Sequence, residues 1–194
     1  MNRQALLDSW VHHTADSAPC SVAEMNSRVA RFEEIPSSTK AFADTYIPGH
    51  QRVLYSVIGS GVTDDPNFHP KIRAAENFHI DYIVAPRGCG AALHWHESEE
   101  VFVVQAGRWE VDWVDGETQQ LHTVVLKERD TISVPPFVHR AFRSLDGETG
   151  LLLSILGGKN PAPVKWHPDV AKRAQEHGVG FDADGVAHQC LDYI

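Results

Sequence analysis

Apolar and polar residues alternate through the middle of the chain, and a helical period replaces this alternation only toward the two ends. Arg52 to Ile58 has strand composition and stops at Gly59 and Gly61, after which Asp64 to Pro70 reads as an irregular loop. Phe78 to Ala85 is the next strand, turned by Pro86 and Gly88. Then come VFVVQ after Glu100, a turn at Ala106-Gly107, and Arg108 to Val114 with Trp109, Val111 and Trp113 on one face and Glu110 and Asp112 on the other. HTVVL, TISVP, Arg140 to Leu145, an Asp146-Gly147 turn and LLLSILGG complete the series. Short strands at close intervals with Gly or Asp turns and no intervening helices predict an antiparallel sandwich or small barrel.

Before the strands, Leu6, Leu7, Trp10 and Val11 form one helical stripe, and Val22, Met25, Val29 and Phe32 form another. Ser21 and Glu24 have capping-box spacing, and these helices are expected to cover the barrel. A last helix is predicted from Pro168, with Val170, Ala171 and Ala174 within it and Gly178 after it. The expected division is a helical extension over 1–40, the barrel over 41–160, and a helix and tail over 161–194, all in one structural domain.

The chemistry concentrates in GCGAALHWHESEEVFVVQAG, residues 88 to 107. His94 and His96 are two apart in a strand-like run, so both imidazoles share a face, and Glu100 keeps the same parity. Two histidines and a carboxylate on one face suit a divalent cation. His139, in TISVPPFVHRAF, is the candidate fourth ligand. Phe102 and Val104 continue the parity of Glu100 as candidate pocket wall. Arg143 shares the parity of His139, so it is a candidate either for a substrate carboxylate or enolate or for a rim ion pair with a nearby acid. Arg87 and Tyr82 are weaker candidates, Tyr82 as a proton carrier. The remaining histidines, His12 and His13 among them, receive no metal role.

Composition narrows the partners. With 17 Lys+Arg against 26 Asp+Glu, the net charge of -9 disfavours nucleic acid. No run of eighteen apolar residues suggests a membrane span, and the first residues lack the apolar core of a signal peptide, so a cytoplasmic protein is expected. Three widely spaced cysteines, Cys20, Cys89 and Cys190, do not suggest a disulfide framework.

Gly88, His94, His96, Glu100 and Gly107 together resemble the first motif of the cupins in full. The second cupin motif, a Gly-Asp turn followed by Pro, Gly, His and Asn, is met in part by Asp130, Pro135 and His139. Arg129 replaces its first glycine, Phe137 or Pro136 its second, Arg143 stands where Asn is usual, and the Pro to His gap is one residue short. The resemblance covers roughly residues 75 to 157. It implies a β-dominated, antiparallel jelly-roll barrel, one divalent ion per chain, and a homodimer. By similarity to the two-histidine, one-carboxylate oxygenases the ion is expected to be iron(II), with manganese, nickel, cobalt or zinc as alternatives. The expected activity is dioxygen-dependent cleavage of a carbon–carbon bond in a small ketone, phenol or diketone. A non-redox lyase, decarboxylase or isomerase and a non-catalytic ligand-binding cupin are the alternatives.

Overall fold

A computed structural model describes residues 2–11, 16–146, 150–160 and 162–188. His12, His13, Gly147 and Cys190 lie outside the described residues. The chain opens with helices α1 (Arg3–Val11) and α2 (Val22–Ser27), followed by strands β1 (Ser37–Ser38), β2 (Val53–Ile58), β3 (Phe78–Ala85), β4 (His94–Trp95) and β5 (Glu100–Ala106). It continues with β6 (Trp109–Val114), β7 (Leu121–Leu126), β8 (Thr131–Val134), β9 (Arg140–Ser144), β10 (Gly150–Gly157) and β11 (Lys165–Trp166). Helix α3 (Pro168–Glu176) and a small hairpin, β12 (Gly180–Phe181) with β13 (Ala187–His188), end the described part.

The strands form two main antiparallel sheets, ordered β1-β2-β3-β10-β5-β8 and β11-β4-β9-β6-β7. This is the β-rich, jelly-roll type of layout expected. Among the described residues, however, the sheets remain two hydrogen-bonded units and do not close into one barrel. They meet through alternate side chains: Phe102 and Val104 of β5, Leu152 of β10, Trp109 and Val111 of β6 and Phe142 of β9 are all buried in one core. The Phe102 and Phe142 rings cross between the sheets in an edge-to-face contact at 4.9 Å. Glu110 and Asp112 face outward from the same β6, as the alternation requires.

A second core, of Ile47, Val164, Trp166, Val170, Ala174 and their neighbours, joins α3 and the segment before β2 to the sandwich. His167 caps α3 by accepting the Asp169 N–H, with Pro168 in the first turn, and Gly178 takes a positive φ just beyond the end. Ser21 likewise accepts the Glu24 N–H at α2. Neither α1 nor α2 buries a residue; the extension meets the sheet beyond them, through the Phe32 ring on Tyr55 and Tyr82, the buried Ile35, and β1, which pairs with β2.

An ion pair fixes the segment between the two cores. Arg52 donates from Nη1 and Nη2 to both carboxylate oxygens of Asp44, at 3.0 and 2.8 Å, and both side chains are fully enclosed. Next to it Asp64 accepts from the Ala43 N–H at 2.8 Å and the Trp166 indole at 3.2 Å. Burial, with the Asp44 charge adding to it, raises its carboxyl from 3.8 to about 7. Because the folded value lies above the unfolded one, the folded state holds the extra proton between these values, and stability falls as pH rises through that window. Asp64→Asn, which keeps an acceptor for both donors, is expected to flatten that slope in chemical denaturation followed from pH 4 to 8.

Candidate metal centre

The short strand β4 delivers His94 inward, and the chain leaves it through His96 into the bend that precedes β5. Glu100 opens β5 with its side chain on the inner face, followed at period two by Phe102 and Val104. His94, His96 and Glu100 are each buried, and one ligand atom from each lies within 4.8 Å of the others. His96 Nε2 and Glu100 Oε2 are 3.1 Å apart.

The surroundings set the protonation states. His94 Nδ1 sits 2.7 Å from the Ala92 carbonyl, so as the donor to that oxygen it leaves Nε2 bare. Burial lowers the His94 pKa to about 3, with the Arg140 and His96 charges acting in the same direction. Burial alone would raise Glu100; the His96 and Arg140 interactions outweigh it and hold the carboxyl at about 2. Ser154 Oγ donates to Glu100 Oε1 at 2.7 Å and fixes the other carboxylate oxygen. A neutral imidazole, a second imidazole within ligand distance and an ionised carboxylate, each with an outer hydrogen bond, form a donor set that fits a divalent cation. For His96, binding through Nε2 requires the tautomer in which Nδ1–H donates to the Ser98 carbonyl, 3.2 Å away.

His139 is not brought to this group. It is partly exposed, with its ring 6.3 Å from Trp95 and 6.2 Å from His167. The side chain that turns inward is the next one, Arg140, paired in register with His94 and wholly buried. Its Nε lies 3.6 Å from Glu100 Oε2 and its Nη2 is 3.3 Å from His96 Nδ1, while Nη1 donates to the Val138 carbonyl. A one-residue shift in a strand reverses the face, and the short Pro to His gap in the sequence is that shift. Counted with the usual gap from Pro135, the fourth ligand position belongs to Arg140. The glycine positions of the same motif are filled by Arg129 and Phe137, with φ of 73° and 65°, a conformation that bulky residues rarely adopt.

The other candidates also separate. Arg143 points outward, half-exposed, and forms an ion pair with Glu110. Arg143→Ala is therefore expected to change stability by less than about 1 kcal/mol and to leave metal content unchanged, read by thermal melting and elemental analysis. Tyr82 lies on the outer face against Phe32, and Arg87 is exposed in the turn after β3. Phe102 and Val104 are buried in the inter-sheet core and do not line the cavity at the three ligands. That cavity, of about 30 Å³, is walled instead by Phe42, Ile83, Leu156, Val164 and Trp166, with Asp81 on its polar side. The inward parity of Ile83 and Ala85 could have pointed to Asp81, their neighbour on the same face.

Residues 81–156 match the family model of the cupin domain. Among solved structures, an oxalate decarboxylase is similar at a TM-score of 0.51 with 16% identity, over 66% of this chain and 29% of that one. The oxalate decarboxylase of Lactobacillus farciminis, in complex with formate, matches at 0.48 and 15% identity over 67% of this chain and 33% of that one. The polyketide cyclase RemF from Streptomyces resistomycificus matches at 0.48 and 16% identity over 70% and 82% of the two chains. The chain thus spans about a third of the length of the oxalate decarboxylases, and no curated protein matches it. No helix among the described residues is long and apolar enough to cross a membrane. The motif spacing, the two antiparallel sheets and the family match agree: residues 81–156 form a domain of the cupin superfamily.

Proposed function

We propose that the protein is a metal-dependent enzyme acting on a small molecule, with one divalent ion held by His94, His96 and Glu100. The observation that carries this reading is the enclosed set of two imidazoles and one carboxylate, with donor atoms close enough to share one ion. Three protein ligands leave several positions open, the arrangement of iron(II) sites that use dioxygen. The preferred reading is therefore a dioxygenase that cleaves a carbon–carbon bond. The cavity of about 30 Å³ has room for roughly two waters, which favours a small ketone over a phenol or a larger diketone.

A bound divalent ion would draw electron density from the chelating oxygens of the substrate, and iron(II) would add one-electron chemistry with dioxygen. The chain's own groups do the rest. His94 and His96 are oriented by the Ala92 and Ser98 carbonyls, and Glu100 is held on either side by Ser154 and Arg140. Phe42, Leu156, Val164 and Trp166 exclude water from the reacting atoms. Asp81, in the same cavity, favours a second reading, a non-redox lyase, decarboxylase or isomerase, because such chemistry needs a group that moves a proton. Oxygen-electrode assays of the iron(II)-loaded protein with small ketones separate the two. Substrate-dependent oxygen uptake supports the dioxygenase, and turnover of the same ketones without oxygen uptake overturns it in favour of the second reading.

A further inference from the structure

We propose that Asp81 is the acid–base residue of this site and that the ligand it serves is a small 2-hydroxy acid, bound with its hydroxyl toward the Asp81 carboxyl. The proposal rests on the metal-centre reading above and on its non-redox alternative, since it gives the site a proton carrier and a hydroxy acid in place of a ketone. Asp81 lies on the inner face of β3 and lines the same cavity as His94, His96 and Glu100. A polar row crosses the sheet here. Ser56 on β2 and Ser154 on β10 are both register partners of Asp81, and Ser154 in turn donates to Glu100. The Ser56 hydroxyl and the Val57 N–H favour the ionised Asp81 carboxyl, yet its Oδ1 is shielded from solvent and has no hydrogen-bond partner. A buried acceptor without a donor is costly, and one facing a small cavity is satisfied when the ligand brings a donor.

Charge identifies the rest of the ligand. A divalent ion and the Arg140 guanidinium together exceed the negative charges of Glu100 and an ionised Asp81, so the loaded site favours an anion. A carboxylate with an adjacent hydroxyl meets both demands with few atoms, matching the small cavity: it chelates at the open positions and presents an O–H to Oδ1. In the proton transfer, the substrate O–H bond breaks as an O–H bond forms on Asp81 Oδ1, and the electron pair stays on the substrate oxygen. No oxidant or reductant enters this step. Burial, against the Ser56 hydrogen bond and helped by the Glu100 charge, raises the carboxyl to about 7, where it can hold or release a proton near neutrality.

The test uses the full chain loaded with manganese(II), titrated calorimetrically with glycolate and with methoxyacetate, which lacks the hydroxyl. The wild type is expected to bind glycolate about tenfold more tightly than methoxyacetate, and Asp81→Ala to lose that preference while keeping its manganese. Asp81→Asn, close to isosteric, guards against a folding defect. Compared in two buffers of different ionisation heat, it should release to solvent the proton that the wild type keeps. An equal preference in wild type and Asp81→Ala at equal manganese content, or the same proton count in wild type and Asp81→Asn, overturns the proposal alone. A wild type that takes up no manganese(II), iron(II) or other divalent ion removes the metal reading, and the proposal with it.

Discussion

Glu100→Ala is expected to lose the bound ion and to destabilise the fold at the same time. The first effect follows from chemistry: Glu100 supplies the one anionic donor of the three, and two neutral imidazoles alone hold a hard or borderline divalent ion poorly. Affinity should fall by roughly a hundredfold or more, the upper range for disturbing a metal shell. The second effect follows from Arg140, which is wholly buried and has Glu100 as its ion-pair partner. Deleting one member of a buried pair leaves the other charge uncompensated, at a cost of about 3–5 kcal/mol. A double variant distinguishes the two effects. Glu100→Gln with Arg140→Met removes both charges, and urea denaturation should show most of the stability restored while elemental analysis still finds no ion.

The second large effect is expected at Arg52. Arg52→Met leaves Asp44 enclosed without its partner and should cost about 3–5 kcal/mol, measured by chemical denaturation. The consequences reach the metal centre through the backbone. Asp44 Oδ2 accepts the Ala92 N–H at 2.7 Å, and the Ala92 carbonyl is the acceptor that orients His94. Arg52 Nη1 also reaches the His50 and Gly90 carbonyls, tying down the loop that leads into β4. Loosening this loop should weaken metal binding along with stability. The compensated pair Asp44→Asn with Arg52→Met should recover part of the stability, because no charge is then left unpaired.

Much of this architecture is legible in the sequence for a simple reason: strands with one buried face carry a period of two. Trp109, Val111, Glu110 and Asp112 sort to the expected sides of β6, and Glu100, Phe102 and Val104 point inward together. The three clustered ligands are legible because they lie within seven residues of one another, but they do not share one strand face: His94 is on β4 of one sheet, His96 in the bend that follows, and Glu100 on β5 of the other sheet, so the ligands converge between the sheets. What requires the structure is the relation between distant segments. The inner face of β9 begins at Arg140 and not at His139, which depends on how the Pro135 to Val138 turn delivers the strand. On β3 the pattern is ambiguous because both faces carry apolar residues. Tyr82 is covered by Phe32 from the N-terminal extension, so its hydrophobicity does not mark the interior, and Asp81 is the one that faces the cavity. The stripes of α1 and α2 predict helices, and helices form, but a stripe does not say what covers it, and neither helix buries a residue.

The most direct test of the central claim is the metal content of purified wild type, His96→Ala and His139→Ala, prepared without chelator and measured by elemental mass spectrometry. About one divalent ion per chain is expected in the wild type and in His139→Ala, and none in His96→Ala, as a three-ligand site at His94, His96 and Glu100 requires. A folded wild type that binds no ion, or a His139→Ala variant that loses it as completely as His96→Ala, would contradict the account.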